Sequence, residues 1–196
     1  MRNPWLTVLS LSALSAAAVT LDVPRLPGPS AADGEVSGDS ALPENRLEKL
    51  RVFRLEMTFD STPSNNVQVA FGRDNMPADG KLAAEETDCI IGWDCGEWFL
   101  RPQGLRERYA FPPAAASGRR TLTAFIRVPS KGSFPSPVFA DSGTAFTFAG
   151  LQLAPFPDWL KPDLWTCLRV TARGCVSTNE TVSARFLPDG ASIILR

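Results

Sequence analysis

From residue 46 onward the chain predicts an all-β domain, an antiparallel β-sandwich of the jelly-roll kind with little helix. Three observations carry that expectation. Stretches in which apolar and polar residues alternate recur every 10 to 20 residues or so, and a period of two belongs to strands with one buried face. Clusters of Pro, Gly, Asn, Asp and Ser separate each stretch from the next, as turns require. No helical stretch alternates with the strands, so the rhythm of a parallel α/β sheet is missing. Residues 46–196 amount to one domain able to bury its own core.

The elements follow in order. Leu50 to Phe59 (LRVFRLEMTF) alternates and predicts a half-buried strand. Asp60 to Asn66 (DSTPSNN) is turn material, and Val67 to Gly72 returns as the second arm of a hairpin. Asp88 to Trp93 and Glu97 to Arg101 predict a shorter hairpin around Asp94-Cys95-Gly96. Leu105 to Phe111 is a candidate strand, and Thr121 to Val128 is a clear one. Residues 129–143 carry prolines and glycines and are expected to be irregular. Thr144 to Leu153 is expected to be extended, and Pro155 to Pro162 to hold a short helical turn. Leu164 to Arg173, Thr181 to Leu187 and Ala191 to Arg196 complete the set.

The N-terminal region reads differently. Met1-Arg2 precedes an uncharged segment, Asn3 to Leu21. Residues 1–21 are therefore expected to be a signal peptide with Ala16-Ala17-Ala18 as the cleavage pattern, or an uncleaved membrane signal-anchor. Either outcome places the rest outside the cytoplasm, secreted or held at a membrane by residues 3–21. Residues 22–45 (DVPRLPGPSAADGEVSGDSALPEN) have few large apolar groups and are expected to form a flexible tether.

Composition excludes more than it selects. There are 20 basic and 21 acidic residues, a net charge of −1, and no histidine. The charges are interspersed, so the basic footprint of nucleic-acid binding is missing. Without histidine, Ser-His-Asp and Cys-His catalysis and His-ligated metals are excluded. The cysteines are Cys89, Cys95, Cys167 and Cys175. In an exported chain an even number reads as disulfides. Four cysteines allow three connectivities, and the sequence-local pairs Cys89–Cys95 and Cys167–Cys175 are the expected one.

Segments of the domain resemble the concanavalin-like jelly-roll group, which includes laminin-G-type modules. Phe53-Arg54-Leu55-Glu56-Met57-Thr58-Phe59 followed by Asn65-Asn66-Val67-Gln68-Val69-Ala70-Phe71-Gly72 is similar to that group's early hairpin. Trp165 to Gly174 (WTCLRVTARG), with Asp189-Gly190 later, is similar to its Trp-led strand and hairpin turn. The resemblance covers about a third of the domain and implies a fold rather than a ligand. Glycosidases with that fold carry Glu-x-Asp-x-x-Glu on one strand. Here Glu86-Thr87-Asp88-Cys89-Ile90-Ile91 supplies the first two acids, and an isoleucine replaces the third.

Two further candidate sites emerge. Asn75 to Glu86 (NMPADGKLAAEE) resembles an EF-hand calcium loop, with Gly80 sixth, Leu82 eighth and Glu86 twelfth. Asn75, Asp79 and Glu86 would be the ligands. Pro77 stands where another ligand is wanted, so any calcium would be weakly bound. Trp93, Trp98, Trp159 and Trp165 are candidates for sugar stacking or for the core. Trp159, in a Pro-rich stretch, is the one expected at the surface. The expected function is a non-enzymatic binding or assembly module at a cell surface, with carbohydrate or protein as ligand. A carboxylate-dependent extracellular glycan hydrolase is the alternative.

Overall fold

The computed structural model describes residues 21–22, 35–42, 50–74, 80–102, 108–127, 137–152, 157–174 and 180–188. Twelve strands run in chain order: β1 (Leu21–Asp22), β2 (Glu35–Ala41), β3 (Leu50–Ser61), β4 (Asn66–Gly72), β5 (Thr87–Asp94), β6 (Glu97–Pro102), β7 (Tyr109–Phe111), β8 (Gly118–Arg127), β9 (Val138–Asp141), β10 (Thr144–Phe146), β11 (Cys167–Arg173) and β12 (Thr181–Pro188). Among the described residues they form two antiparallel six-stranded sheets, ordered β1-β12-β3-β8-β9-β10 and β2-β11-β4-β5-β6-β7. Helix among these residues is confined to single 3-10 turns at Ala84–Glu86, Asp158–Leu160 and Pro162–Leu164. None is long and apolar enough to cross a membrane. The expected β-sandwich is the fold.

The alternation of apolar residues decides which face of each strand is buried. On β3, Phe53, Leu55, Met57 and Phe59 point inward; on β4, Val67, Val69 and Phe71 do. They meet Ile91, Trp93, Trp98 and Leu100 from β5 and β6, Leu168 and Val170 from β11, and Val182, Ala184 and Phe186 from β12. Edge-on and stacked rings fill the centre. Phe71 stacks on Trp165 at 4.7 Å, and Phe53 meets Phe71, Trp165 and Phe186, each at 5.3 Å. Trp93, Trp98 and Trp165 are thus core residues, as their size favours.

Several expectations need correction. Residues 35–42 are not tether. β2 pairs with β11 from Glu35↔Arg173 to Ala41↔Cys167, Asp39 binds Arg169 through both its carboxylate oxygens, and Leu42 enters the core. The sequence signal is weak because β2 is held by backbone bonds and one ion pair rather than by apolar side chains. The residues expected to be irregular include β9, whose four residues are too few to show a period. The strand expected over 144–153 stops at Phe146; a turn follows, in which Gly150 has φ +76 and the Leu151 N–H donates to the Phe148 carbonyl. The candidate strand 105–111 is described only at its end, as β7. The expected final strand, 191–196, lies outside the described residues, as do residues 1–20.

Candidate functional site

Among the described residues each sheet ends in a short strand, β7 on one and β10 on the other, and aromatic side chains close the gap between them. Tyr109 and Phe111 lie opposite Leu100 and Trp98 in the β6–β7 register, so both face the interior, since opposed residues share a face. Phe111 stacks on Phe146 of β10, with centroids 4.3 Å apart. Tyr109 stacks on Trp159, with centroids 6.3 Å apart and planes within 16°. Trp159 sits on the 3-10 turn that begins after Pro157, where Leu160 anchors the segment in the core. It is half-buried and packs against the core cluster.

A concavity opens on either side of this seam. The first, about 510 Å³, is lined by Arg108, Tyr109, Ala149, Gly150 and Gln152. Arg108 is well held. Its guanidinium donates to Asp94 Oδ2 and Glu97 Oε1, each at 2.6 Å, and lies 4.6 Å from the Phe99 ring centroid. Asp94 and Glu97 face each other across the β5–β6 hairpin, so one guanidinium spans both carboxylates. Burial pushes the Asp94 carboxyl up, but hydrogen bonds from Arg108, Asn66 and Cys95 outweigh it and hold the group below its usual range.

The second concavity, about 420 Å³, lies at the other end of β7, between Phe111, Pro113, Ala114, Ala115, Arg120, Asp141, Ser142, Thr144 and Phe146. Arg120 and Asp141 form its charged wall, with side chains only 10% and 11% exposed. Arg120 also donates to Ser61 Oγ at 2.9 Å and to the Ala115 carbonyl. Its guanidinium lies 4.9 Å from the Trp93 ring centroid. Neither arginine stands out in the sequence reading. Arg120 was detectable in principle, because it falls in phase with the inward residues Leu122, Ala124 and Ile126. Arg108 carried no such signal.

The glycosidase-like acid motif does not assemble. Asp88 and Ile91 have opposite parity on β5, and Ile91 is wholly buried in the core. Asp88 pairs with Arg73 at 3.3 Å; burial raises its pKa and Arg73 opposes the rise. Glu86 Oε2 accepts the Ala83 N–H at 3.0 Å, the reach-back half of a capping box. Asp94 and Glu97, bridged by Arg108, do not resemble a glycosidase pair, where the acid's pKa must be raised.

Of the calcium loop, Asn75 and Asp79 lie outside the described residues. Gly80 makes the expected sharp turn with φ +77. Leu82 is 1% exposed, and its N–H binds Asp39 Oδ1 at 3.0 Å. Gly72 permits this fold-back, because a Cβ there would fall 1.9 Å from the Glu86 carbonyl oxygen.

The expected Cys89–Cys95 disulfide is ruled out by geometry. The two residues lie at opposite ends of β5, roughly 20 Å apart at about 3.3 Å per residue, whereas a disulfide needs Cα atoms about 4.4–6.8 Å apart. Cys89, Cys95 and Cys167 are all free thiols. Cys175 lies outside the described residues. Its expected partner Cys167, at the start of β11, is a free thiol.

The chain is similar to a tetrameric galectin from the ball sponge Cinachyrella sp., at 13% identity and a TM-score of 0.42, over 79% of this chain and 100% of that one. It is also similar to the transglycosylase Crh5 in its apo form, at 10% identity and a TM-score of 0.43, over 91% and 87% of the two chains. A native glycosidic hydrolase is similar at 9% identity and a TM-score of 0.36, over 83% and 78%. No family model matches the chain, and no curated protein sequence matches it. Likeness at this level says nothing of what the chain does, and a functional reading has to come from its own residues.

Proposed function

We propose that the chain is an exported β-sandwich binding module that takes carbohydrate at the open edge between β7 and β10. One observation carries the reading: the Tyr109–Trp159 aromatic pair stands beside a concavity that also presents Arg108 and Gln152. Sugar rings offer apolar faces flanked by hydroxyls. A partly exposed aromatic surface next to fixed planar polar groups suits both. Arg108 is already oriented by Asp94 and Glu97, so little side-chain entropy would be lost on binding. The uncharged 3–21 segment supports export, and cleavage after Ala18 would leave β1 on the mature chain. Protein as ligand and glycan hydrolysis are the competing outcomes.

The test is a glycan array probed with the full chain, alongside Trp159→Ala and Tyr109→Ala variants checked for an unchanged fold. Glycan binding weakened about tenfold or more, the equivalent of about 1.4 kcal/mol, is expected in each variant. Glycan binding that both variants retain in full would place the site elsewhere. Turnover of a bound glycan would favour the hydrolase.

A further inference from the structure

The concavity beside Phe111, about 420 Å³, has no part in the glycan site proposed above, yet it has the makings of one. Its volume is near the low end of the range for small-molecule sites, about 300–1,000 Å³. Phe111, Pro113, Ala114 and Phe146 give it apolar walls. The stacked Phe111 and Phe146 rings lie within 14° of parallel, and Phe111 is only half-buried.

The remaining wall is polar and without net charge. Arg120 and Asp141 neutralise each other, so the wall favours neither an anion nor a cation. It still offers hydrogen bonds. Arg120 donates from Nε to Ser61 Oγ, from Nη1 to Asp141 Oδ2 and from Nη2 to the Ala115 carbonyl. Each terminal nitrogen carries a second N–H, and the Asp141 carboxylate has lone pairs beyond those that Arg120 and Ser142 occupy. A donor and an acceptor therefore stand side by side.

The turn that follows Asp141 holds that carboxylate in place. Ser142 has φ +48 and Gly143 φ +87, the left-handed pair of a tight hairpin turn. Such turns favour Asn, Asp or Gly at the first position, and serine is an unusual occupant. Its hydroxyl has a use there. It donates to Asp141 Oδ1 at 3.1 Å and accepts the Thr121 N–H at 3.3 Å. Asp141 is thus fixed through both oxygens, by Arg120 on one and Ser142 on the other. Groups fixed in advance lose little entropy when a ligand arrives.

A pyranose ring matches these walls. It is neutral and its C–H faces are apolar. Its vicinal hydroxyls stand side by side, so one can donate to Asp141 while its neighbour accepts from Arg120. We propose that this concavity is a second sugar subsite, which holds one neutral pyranose unit by a pair of vicinal hydroxyls on Arg120 and Asp141. The inference rests on the carbohydrate reading for the identity of the ring, and it extends that reading. Tyr109 lines the first concavity and Phe111 the second. Along β7 they are roughly 7 Å apart at about 3.3 Å per residue, which is longer than one pyranose ring. A glycan that fills both concavities therefore contains more than one sugar unit.

The test does not require the natural glycan. The full chain, isotope-labelled for nuclear magnetic resonance, is titrated with the vicinal diol of cyclohexane and, separately, with cyclohexanol. The Arg120 Nε–H and the Ser142 amide report this concavity, and the Trp159 indole N–H reports the first. The diol should shift the Arg120 and Ser142 signals saturably, and cyclohexanol should bind at least about tenfold more weakly. At least one of the methyl pyranosides of glucose, galactose and mannose should displace the diol. Ala114→Trp, which fills the concavity from an exposed position, should abolish these shifts and leave the melting temperature unchanged. No saturable shift, equal binding of cyclohexanol, shifts that survive Ala114→Trp, or a diol that no pyranoside displaces would each overturn the proposal. Array binding that depends on Trp159 in the absence of these shifts would leave the first concavity as the whole site. Diol and pyranoside binding here, with no array binding that depends on Trp159, would sink the first reading and leave this subsite standing.

Discussion

Two arginines at the two ends of β7 use the same chemistry in different surroundings. Arg108 and Arg120 each lie over an aromatic ring, at 4.6 and 4.9 Å from the centroid, and each is paired with carboxylate. The Arg108 side chain is 31% exposed and that of Arg120 10%. In water, desolvation is cheap and the net gain from pairing is small. Under the loop that contributes the Ala115 carbonyl, both ions of the second pair have left water, and each depends on the other. The first pair therefore contributes little to the fold, while the second is tied to it.

The strongest way to break the comparison is to remove one buried partner. Asp141→Ala should destabilise the domain by about 3–5 kcal/mol, because it strands the Arg120 charge, as a urea melt would measure. Replacing both residues, Arg120→Met with Asp141→Leu, should recover most of that loss. If the single and double variants are equally unstable, the pair is not what holds this end of the seam.

The exposed partner should behave in the opposite way. Arg108→Gln should change stability by no more than about 1 kcal/mol, while glycan affinity falls by about tenfold. Calorimetric binding and a melt on the same preparation would separate the two effects. A large loss of stability would make Arg108 a structural residue after all.

Acid sharpens the same contrast. The folded-state pKa of Asp94 lies below its ordinary 3.8. Its contribution is therefore fully present above that value and is lost as pH falls through the lower folded one. Stability measured down an acid series should fall less steeply in Asp94→Asn than in the parent. An identical slope would mean the hydrogen bonds to Asp94 contribute nothing.

The smallest effect is expected at Glu86. Glu86→Gln should cost about 0.5–1 kcal/mol by weakening the bond to the Ala83 N–H, equally in millimolar calcium and in chelator. A difference confined to calcium would make Glu86 a metal ligand and restore the loop's EF-hand reading.

Most of the fold was legible where one face of a strand is buried. The alternation in Phe53 to Phe59, Val67 to Phe71 and Leu122 to Ile126 is the core pattern itself. β2 and β9 were not legible. In β2, Ser37, Gly38, Asp39 and Ser40 are held by partners far away in sequence rather than by their own burial, and β9 is too short to show a period. Of the proposed site, only Trp159 was singled out in the sequence, by its Pro-rich setting. Arg108-Tyr109 and Gln152 come together from two separate segments, and no local pattern announces them. The disulfide expectation failed because closeness in sequence is not closeness in space. Along a strand, the step from Cys89 to Cys95 spans nearly the height of the sheet.

The order of the strands has a kinetic consequence. β1 pairs with β12 and β2 with β11, so the earliest strands find their partners only in the last ones. Neither sheet can be completed before β11 and β12 have been made. Such pairings close large loops and make folding slow. During that interval the chain exposes strand edges that are later covered, and such edges favour aggregation.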